Sequence, residues 1–529
     1  MDRRTLLAVA LCFFIFMGWQ KLYVEPRLPK TATTAAPTSS SELSSPAAMT
    51  PASAISGGST HAPSLRAPVF QKLSSETGVV TLGDGNAVFS GWDLNNYRVG
   101  LSQTTHAIDM KDVTQESNQL EIAFDLPEYA YLSKVQGTFT QISDQSVTWQ
   151  YEDENVKLFR EIQKNHAGSK NALAVKLSAA FKKAKPNYAF VSLKSQSPEG
   201  DPEAQDRQLM YWTNQSVERV GTSSEVKLRE VTTPVTWIGS SSRYFLMSVL
   251  VDGGVAPKAL VQPLTEHAAK VSLVYPVNGN ALQIPLKVYF GPKELNLLRS
   301  VDTTLDATID FGWFTLFAYP LLKLMKGLYA IVHNYGVAII LLTLIVKLLT
   351  FPLTYKSMKS MKEMAKIQPQ LQKIREKYKD DRETLNKEML GLMKSHGYNP
   401  AAGCLPILVQ MPVFFALYRV LYSSIELYHA PFFGWIVDLA AKDPFYVTPV
   451  LMTIAMFLQQ KLTPNTATDP AQQKMMQFMP LMFGGMMLGL PSGLTIYMLV
   501  NAVTSIVQQS LLNKKFGVGA SASGAPTVV

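Results

Sequence analysis

Cysteine is nearly absent. Cys12 and Cys404 are the only two, and each stands inside an apolar run. A structural disulfide in an exported domain is thereby excluded. There is no CxxC pair, no paired zinc spacing and no HExxH, and the seven histidines are scattered. A GxxxxGK[ST] loop is missing too, so no nucleotide, metal or other cofactor is expected. Charged residues make up 17% of the chain, against about a quarter in soluble proteins.

What is present divides the chain. Residues 60–305 read as ordinary soluble protein, whereas residues 330–515 are dominated by long apolar runs. Runs of about 18 residues or more are candidate membrane spans. The net charge of +9 fits either nucleic acid or membrane topology. Its basic residues concentrate between Lys356 and Lys394, between two apolar runs, which favours a cytoplasmic loop.

Residues 1–24 carry Arg3 and Arg4 ahead of an apolar core from Leu6 to Trp19. That pattern suits a cleaved signal peptide or a retained signal anchor, and the lack of a small-x-small site before Tyr23 favours the anchor. Residues 25–66 form a linker rich in Ala, Ser, Thr and Pro, which cannot bury a core. Residues 67–305 are expected to be an all-β sandwich. In QSVTWQYEDENVKLF, Val147, Trp149 and Tyr151 alternate before a turn at Asp153-Glu154-Asn155. GVVTLGDGNAVFSGW, RYFLMSVLVDGG and ALQIPLKVYFGP supply further short strands and turn signals.

Residues 306–334 read as an amphipathic helix at the membrane interface, since Pro320, Lys323 and Lys326 argue against a full span. Residues 335–515 hold five predicted spans: Gly336–Thr354, Cys404–Ser424, Phe445–Leu462, Met475–Leu490 and Gly493–Leu512. The fold class is thus an α-helical polytopic bundle of six spans, five forming the core, with the β-sandwich outside. Residues 356–398 are predicted to make a cytoplasmic helical hairpin with a kink at Pro369. A stripe from Met358 through Leu371 to Leu392 either glues its two arms or docks irregular partners. Residues 516–529 are left as a disordered tail. Lys356–Lys394 holds eleven basic residues against six acidic, and the loop Glu426–Asp443 holds one lysine. This places both termini in the cytoplasm and the β domain outside.

The run IILLTLIVKLLTFP, residues 339–352, carries a single charge, Lys347. Thr343, Lys347, Thr350 and Thr354 share one helix face, and no Asp or Glu lies inside any predicted span to pair with the lysine. Snorkelling is one account: Lys356 is nine residues on, about 13 Å along a helix. The other is a wet cavity, because Tyr497, Asn501, Thr504 and Gln508 make a second stripe and Gln410 and Thr453 lie in neighbouring spans.

Three motifs carry a resemblance. NPAAGCLPILVQMPVFFALY (Asn399–Tyr418), TDPAQQKMMQFMP (Thr468–Pro480) and PSGLTIYMLVN (Pro491–Asn501) resemble the YidC family of membrane protein insertases. The likeness covers about Asp310 to Lys515, and the anchor, tether and β domain match the Gram-negative layout more loosely. It implies five core spans around a hydrophilic groove in the bacterial inner membrane. Lys347 stands there where the family usually has Arg, keeping the charge but not the bidentate fork. Client contacts carry over to Thr343, Phe414, Met452 and Met486, with Tyr497 and Met498 close by, and Gln410 and Asn501 join the polar wall. The implied activity is insertion, folding and assembly of membrane proteins, alone or with the Sec translocon, and not enzymatic. The implied partners are nascent membrane proteins, the Sec translocon, membrane lipids, and the ribosome and targeting factors at the hairpin. An exported carbohydrate-active domain and a transporter are the rival readings.

Overall fold

The computed structural model describes residues 66–75, 78–101, 105–116, 119–164, 172–201, 203–213, 216–221, 226–379, 381–395, 400–463 and 470–515. The anchor, nearly all of the linker and the tail lie outside these residues. The chain divides into two compact units, with the boundary after Ile309.

The first unit is a sandwich of two nine-stranded sheets. One sheet runs in spatial order Phe70–Ser74, Gly78–Gly83, Ala87–Arg98, Gln119–Phe124, Tyr188–Gln196, Ala268–Pro276, Lys258–Thr265 and Arg229–Val231, with Ala107–Asp109 attached to Ala87–Arg98. The other runs Ser216–Gly221, Gln208–Thr213, Val235–Ser241, Phe245–Val251, Ala281–Pro292, Ala172–Phe181, Val156–Gln163, Ser146–Glu152 and Thr138–Ile142. The pairings are antiparallel; Val156–Gln163 buries alternate residues, whereas central strands such as Phe245–Val251 are buried on both faces. Val147 and Trp149 point inward as their spacing predicts, and both are fully buried. The turn that follows closes because Asp153 Oδ1 accepts from the amides of Asn155 at 2.7 Å and Val156 at 2.8 Å.

One inward position breaks the apolar pattern. Arg160 sits between Leu158 and Ile162 on the buried face of its strand. Its guanidinium lies 3.7 Å from the centre of the Trp149 ring and donates to the carbonyls of Gly85 (3.0 Å), Asn86 (2.5 Å) and Ala87 (3.4 Å). The cation is thus solvated by a turn and an aromatic face instead of water. That turn, Asp84–Asn86, joins two strands of the opposite sheet, so Arg160 pins the two layers together.

The second unit is helical. Its helices are α1 (Thr315–Val332), α2 (Tyr335–Lys377), α3 (Arg382–Ser395), α4 (Pro400–Ser423), α5 (Val447–Leu462), α6 (Pro470–Met487) and α7 (Ser492–Lys515). Helix α7 packs on α2 and α5, α1 and α4 pack on α2, and α6 packs on α5. Among the described residues, Thr315–Val332, Tyr335–Met361 and Ser492–Lys514 are long and apolar enough to cross a membrane. Helix α1 runs through Pro320 without a break, so the proline does not interrupt the apolar segment.

Span and first hairpin arm are one helix of 43 residues, about 65 Å long. Thr354 does not cap an end there, because its hydroxyl donates to the Thr350 carbonyl one turn back. Pro352 and Pro369 both lie inside this helix, so no helix end falls at the predicted kink. Helix α3 folds back on it: Ile367 and Leu371 are buried, with Met389, Leu392 and Met393 packed against them. That part of the stripe joins the two arms. Helix α6 starts at Pro470, ahead of the expected Met475, with proline at the first helical position.

Candidate functional site

Helix α2 opens with Asn334, whose Oδ1 accepts from the Val337 amide at 3.1 Å. The helix then carries its polar stripe inward. Thr343 Oγ1 donates to the Ile339 carbonyl at 2.7 Å and Thr350 Oγ1 to the Val346 carbonyl at 2.9 Å. These hydroxyls are satisfied by their own helix and need no outside partner. Lys347 has no such option, since an ammonium only donates.

It reaches α7 instead. Lys347 Nζ donates to Ser505 Oγ at 2.7 Å, and Ser505 Oγ donates to the Asn501 carbonyl at 2.8 Å. Ser505 is buried. Among the described residues Lys347 has no carboxylate partner. The lysine is therefore held by a neutral hydroxyl, and its charge stays uncompensated. Asn501 Oδ1, one turn away, is buried without a hydrogen-bond partner. Among the described residues the site thus holds a cation without a counter-charge and, one turn from Ser505, an acceptor without a donor.

A second contact joins α4 to α7. Gln410 Nε2 lies 3.5 Å from the Tyr497 hydroxyl, at the limit of a hydrogen bond. The Phe414 ring lies nearly parallel to Tyr497, with centroids 6.5 Å apart. Tyr497 is fully buried, as are Thr343 and Met452. Met498 is partly buried, whereas Met486 faces outward with 57% of its surface exposed. The structure therefore joins Lys347 to the Asn501 turn, and Gln410 and Phe414 to Tyr497. It leaves Met486 on the surface of α6.

Sequence reasoning missed Ser505. It chose Thr504 and Gln508 as the continuation of the α7 stripe, but the buried positions are Ser505 and Gln509. Gln509 Nε2 donates to Thr463 Oγ1 at 3.1 Å, beyond the end of α5. The signal was there: Tyr497, Asn501, Ser505 and Gln509 recur every fourth residue. Among the described residues no group of three His, Cys, Asp or Glu side chains is placed to hold a metal.

A β-sandwich unit and a helical unit with an unpaired buried-side lysine define a membrane protein with an attached all-β domain. The comparisons agree. Residues 90–324 match the YidC periplasmic domain, and residues 327–518 match the 60Kd inner membrane protein family. The membrane protein insertase YidC of Nitratidesulfovibrio vulgaris is 35% identical, over 97% of this chain and 99% of that relative. The chain belongs to the YidC family of membrane protein insertases. The Geobacter metallireducens YidC is 49% identical, over 53% of this chain. There the match spans about half of the relative's length, 52%. A crystal structure described as an active YidC insertase with its first transmembrane domain resolved gives a TM-score of 0.37 at 19% identity, covering 84% of this chain and 93% of that one. The named relatives are insertases and not enzymes. The family makes this an inner membrane protein with a periplasmic β domain.

Proposed function

We propose that the chain inserts and helps fold integral membrane proteins, alone or beside the Sec translocon, and that Lys347 holds the client's polar tail in a hydrophilic groove. The observation that carries this is the partner of Lys347: a neutral hydroxyl, which leaves the positive charge free for an anionic group. Thr343, Gln410, Tyr497 and Asn501 are read as the polar wall. Phe414, Met452, Met486 and Met498 are read as the apolar contacts with the client helix. The hairpin 356–398 receives the ribosome and targeting factors, membrane lipids flank the groove, and both termini lie in the cytoplasm.

The energetics need no nucleotide. Each central Leu, Ile, Phe or Val of a client contributes about 0.3 to 0.6 kcal/mol to its own insertion. What opposes insertion is the passage of the polar tail. A carboxylate about 4 Å from the ammonium gains about 1 kcal/mol in water and about 4 kcal/mol at an effective dielectric of 20. That range holds a tail transiently and still releases it.

The test is reconstitution in liposomes with a short single-span client bearing an acidic tail. Protease protection of the tail is expected with the wild type and with Lys347→Arg, and lost with Lys347→Ala. Equal protection by the alanine variant would make Lys347 a snorkelling lysine and overturn the role given to it.

A further inference from the structure

The loop 424–446 joins α4 to α5 and covers the amino-terminal end of α2. Asn334 Nδ2 lies 3.5 Å from the Phe432 carbonyl, and Gly336 leaves room for the Phe432 ring, which would stand 1.9 Å from a side-chain carbon there. The basic hairpin grows from the other end of the same helix. The loop therefore caps the end of the bundle away from the hairpin.

Its exposed face is unusual in composition. Phe433 is 63% exposed, Trp435 41%, Val437 52% and Phe445 69%. The loop is not slack. The Phe432 amide donates to the Ile436 carbonyl at 2.9 Å, and the Leu439 amide to the Ala430 carbonyl at 2.9 Å. Asp443 is buried and accepts four hydrogen bonds: from Trp435 Nε1 (3.0 Å), the Phe445 amide (3.0 Å), the Thr448 amide (2.7 Å) and Thr448 Oγ1 (2.8 Å). Thr448 Oγ1 also lies 3.0 Å from Thr495 Oγ1 on α7. The Ser492 and Gly493 amides donate to the carbonyls of Ala441 and Leu439. The rings are thus displayed on a frame locked to α5 and α7.

The acidic groups of this loop are all spent internally. Glu426 pairs with Lys326 at 3.1 Å, and Asp438 faces His429 at 3.8 Å and accepts from the Ala440 amide at 2.8 Å. The side chains of Glu426 and Asp438 are 8% and 11% exposed, and Lys442 is the one charged side chain that faces out. The Trp435 indole N–H is already bonded to Asp443, so burying its ring leaves no donor unpaired.

We propose that this loop is a rigid membrane-interface anchor: Phe433, Trp435, Val437 and Phe445 seat in the headgroup–acyl boundary of the leaflet away from the hairpin. The occupant follows from the charge pattern and from position. An outward cation without outward carboxylates suits anionic lipid, and the loop sits between two helices of the bundle. Because the frame is preformed, the rings lose little conformational freedom on entering the bilayer. The inference rests on reading the helical unit as bilayer-spanning.

The test uses the full chain with Cys12→Ser and Cys404→Ser, reconstituted in phosphatidylethanolamine–phosphatidylglycerol vesicles. Nitroxide labels go on Phe433→Cys, Phe445→Cys and, as a mid-helix control, Leu348→Cys, which is 74% exposed on α2. Collision with oxygen reports lipid, and collision with a water-soluble nickel chelate reports water. The expected result is lipid contact at all three sites, shallower at 433 and 445, with the shallow contact at 433 lost on Asp443→Asn. Water contact at 433 and 445 with lipid contact at 348 would overturn the anchor alone. Exclusion of both reagents at 433 and 445 would mean a protein partner and would also overturn it. Water contact at 348 would remove the spanning reading as well.

Discussion

At the residue scale, polar side chains inside each unit are decided by what they can donate or accept. Lys347 and Ser505 illustrate a donor that finds only a neutral oxygen. Asp93 illustrates the opposite problem in the β domain. Burial pushes its carboxyl above the usual range, Asp109 and Asp112 add to this, and Lys72 and Lys111 only partly offset it. A carboxyl whose folded pKa is raised binds more protons in the folded state, so its charged form costs stability as pH rises past the unfolded value near 4. Asp93→Asn is therefore expected to raise the melting temperature at pH 7, with the gain fading as pH falls to about 4. Thermal melts of both proteins across that interval check it, and an equal gain at both ends would refute the charge argument. Asp443 differs. Burial raises its pKa, but hydrogen bonds from Thr448, Phe445 and Trp435 outweigh this and leave it below the usual carboxylate range.

At the element scale, close approach of α5 and α6 hangs on one glycine. A side-chain carbon at Gly484 would stand 2.0 Å from Thr453 Oγ1 and 3.0 Å from Thr453 Cβ. Gly484→Ala is expected to lower stability by about 1 to 3 kcal/mol, the usual cost of overpacking. Adding Thr453→Ala removes the clashing hydroxyl and should recover most of the loss. By itself Thr453→Ala forfeits only a bond to its own helix, at the Pro449 carbonyl, and should be nearly neutral. Detergent melts of the two single variants and the double variant give the cycle, and purely additive losses would refute the packing account. The hairpin needs its own glue for the same reason. Its second arm has 14 residues, and a helix that short is marginal unless Ile367 and Leu371 pack against it.

At the scale of the whole molecule, the two units each hold their own core, in line with separate tasks. Deleting residues 67–305 is expected to leave most insertion activity in the liposome assay. Loss of activity with a folded helical unit would assign the β domain a direct part in the proposed reaction. Much of the architecture was legible beforehand, because local periodicity dictates it. Alternating Val147 and Trp149 announced a strand. The apolar runs announced α4, α5, α6 and α7 to within about five residues, and the start of α2 but not its end. The Thr343–Lys347 spacing announced a shared face, and the residue motifs carried the family resemblance. What no local pattern carries is which face meets which. The Trp149–Arg160 stack uses a turn about 75 residues away. Ser505 lies 158 residues from Lys347, and its selection over Thr504 depends on how α7 is rotated against α2. The link from the Asp443 frame to α7, through Thr448 and Thr495, likewise exists only once α5 and α7 are side by side. The sequence by itself determined the elements, their order and the scarcity of charge among the spans. Tertiary structure decided the partners, since a hydrogen bond needs two groups within about 3 Å and helix rotation sets that distance.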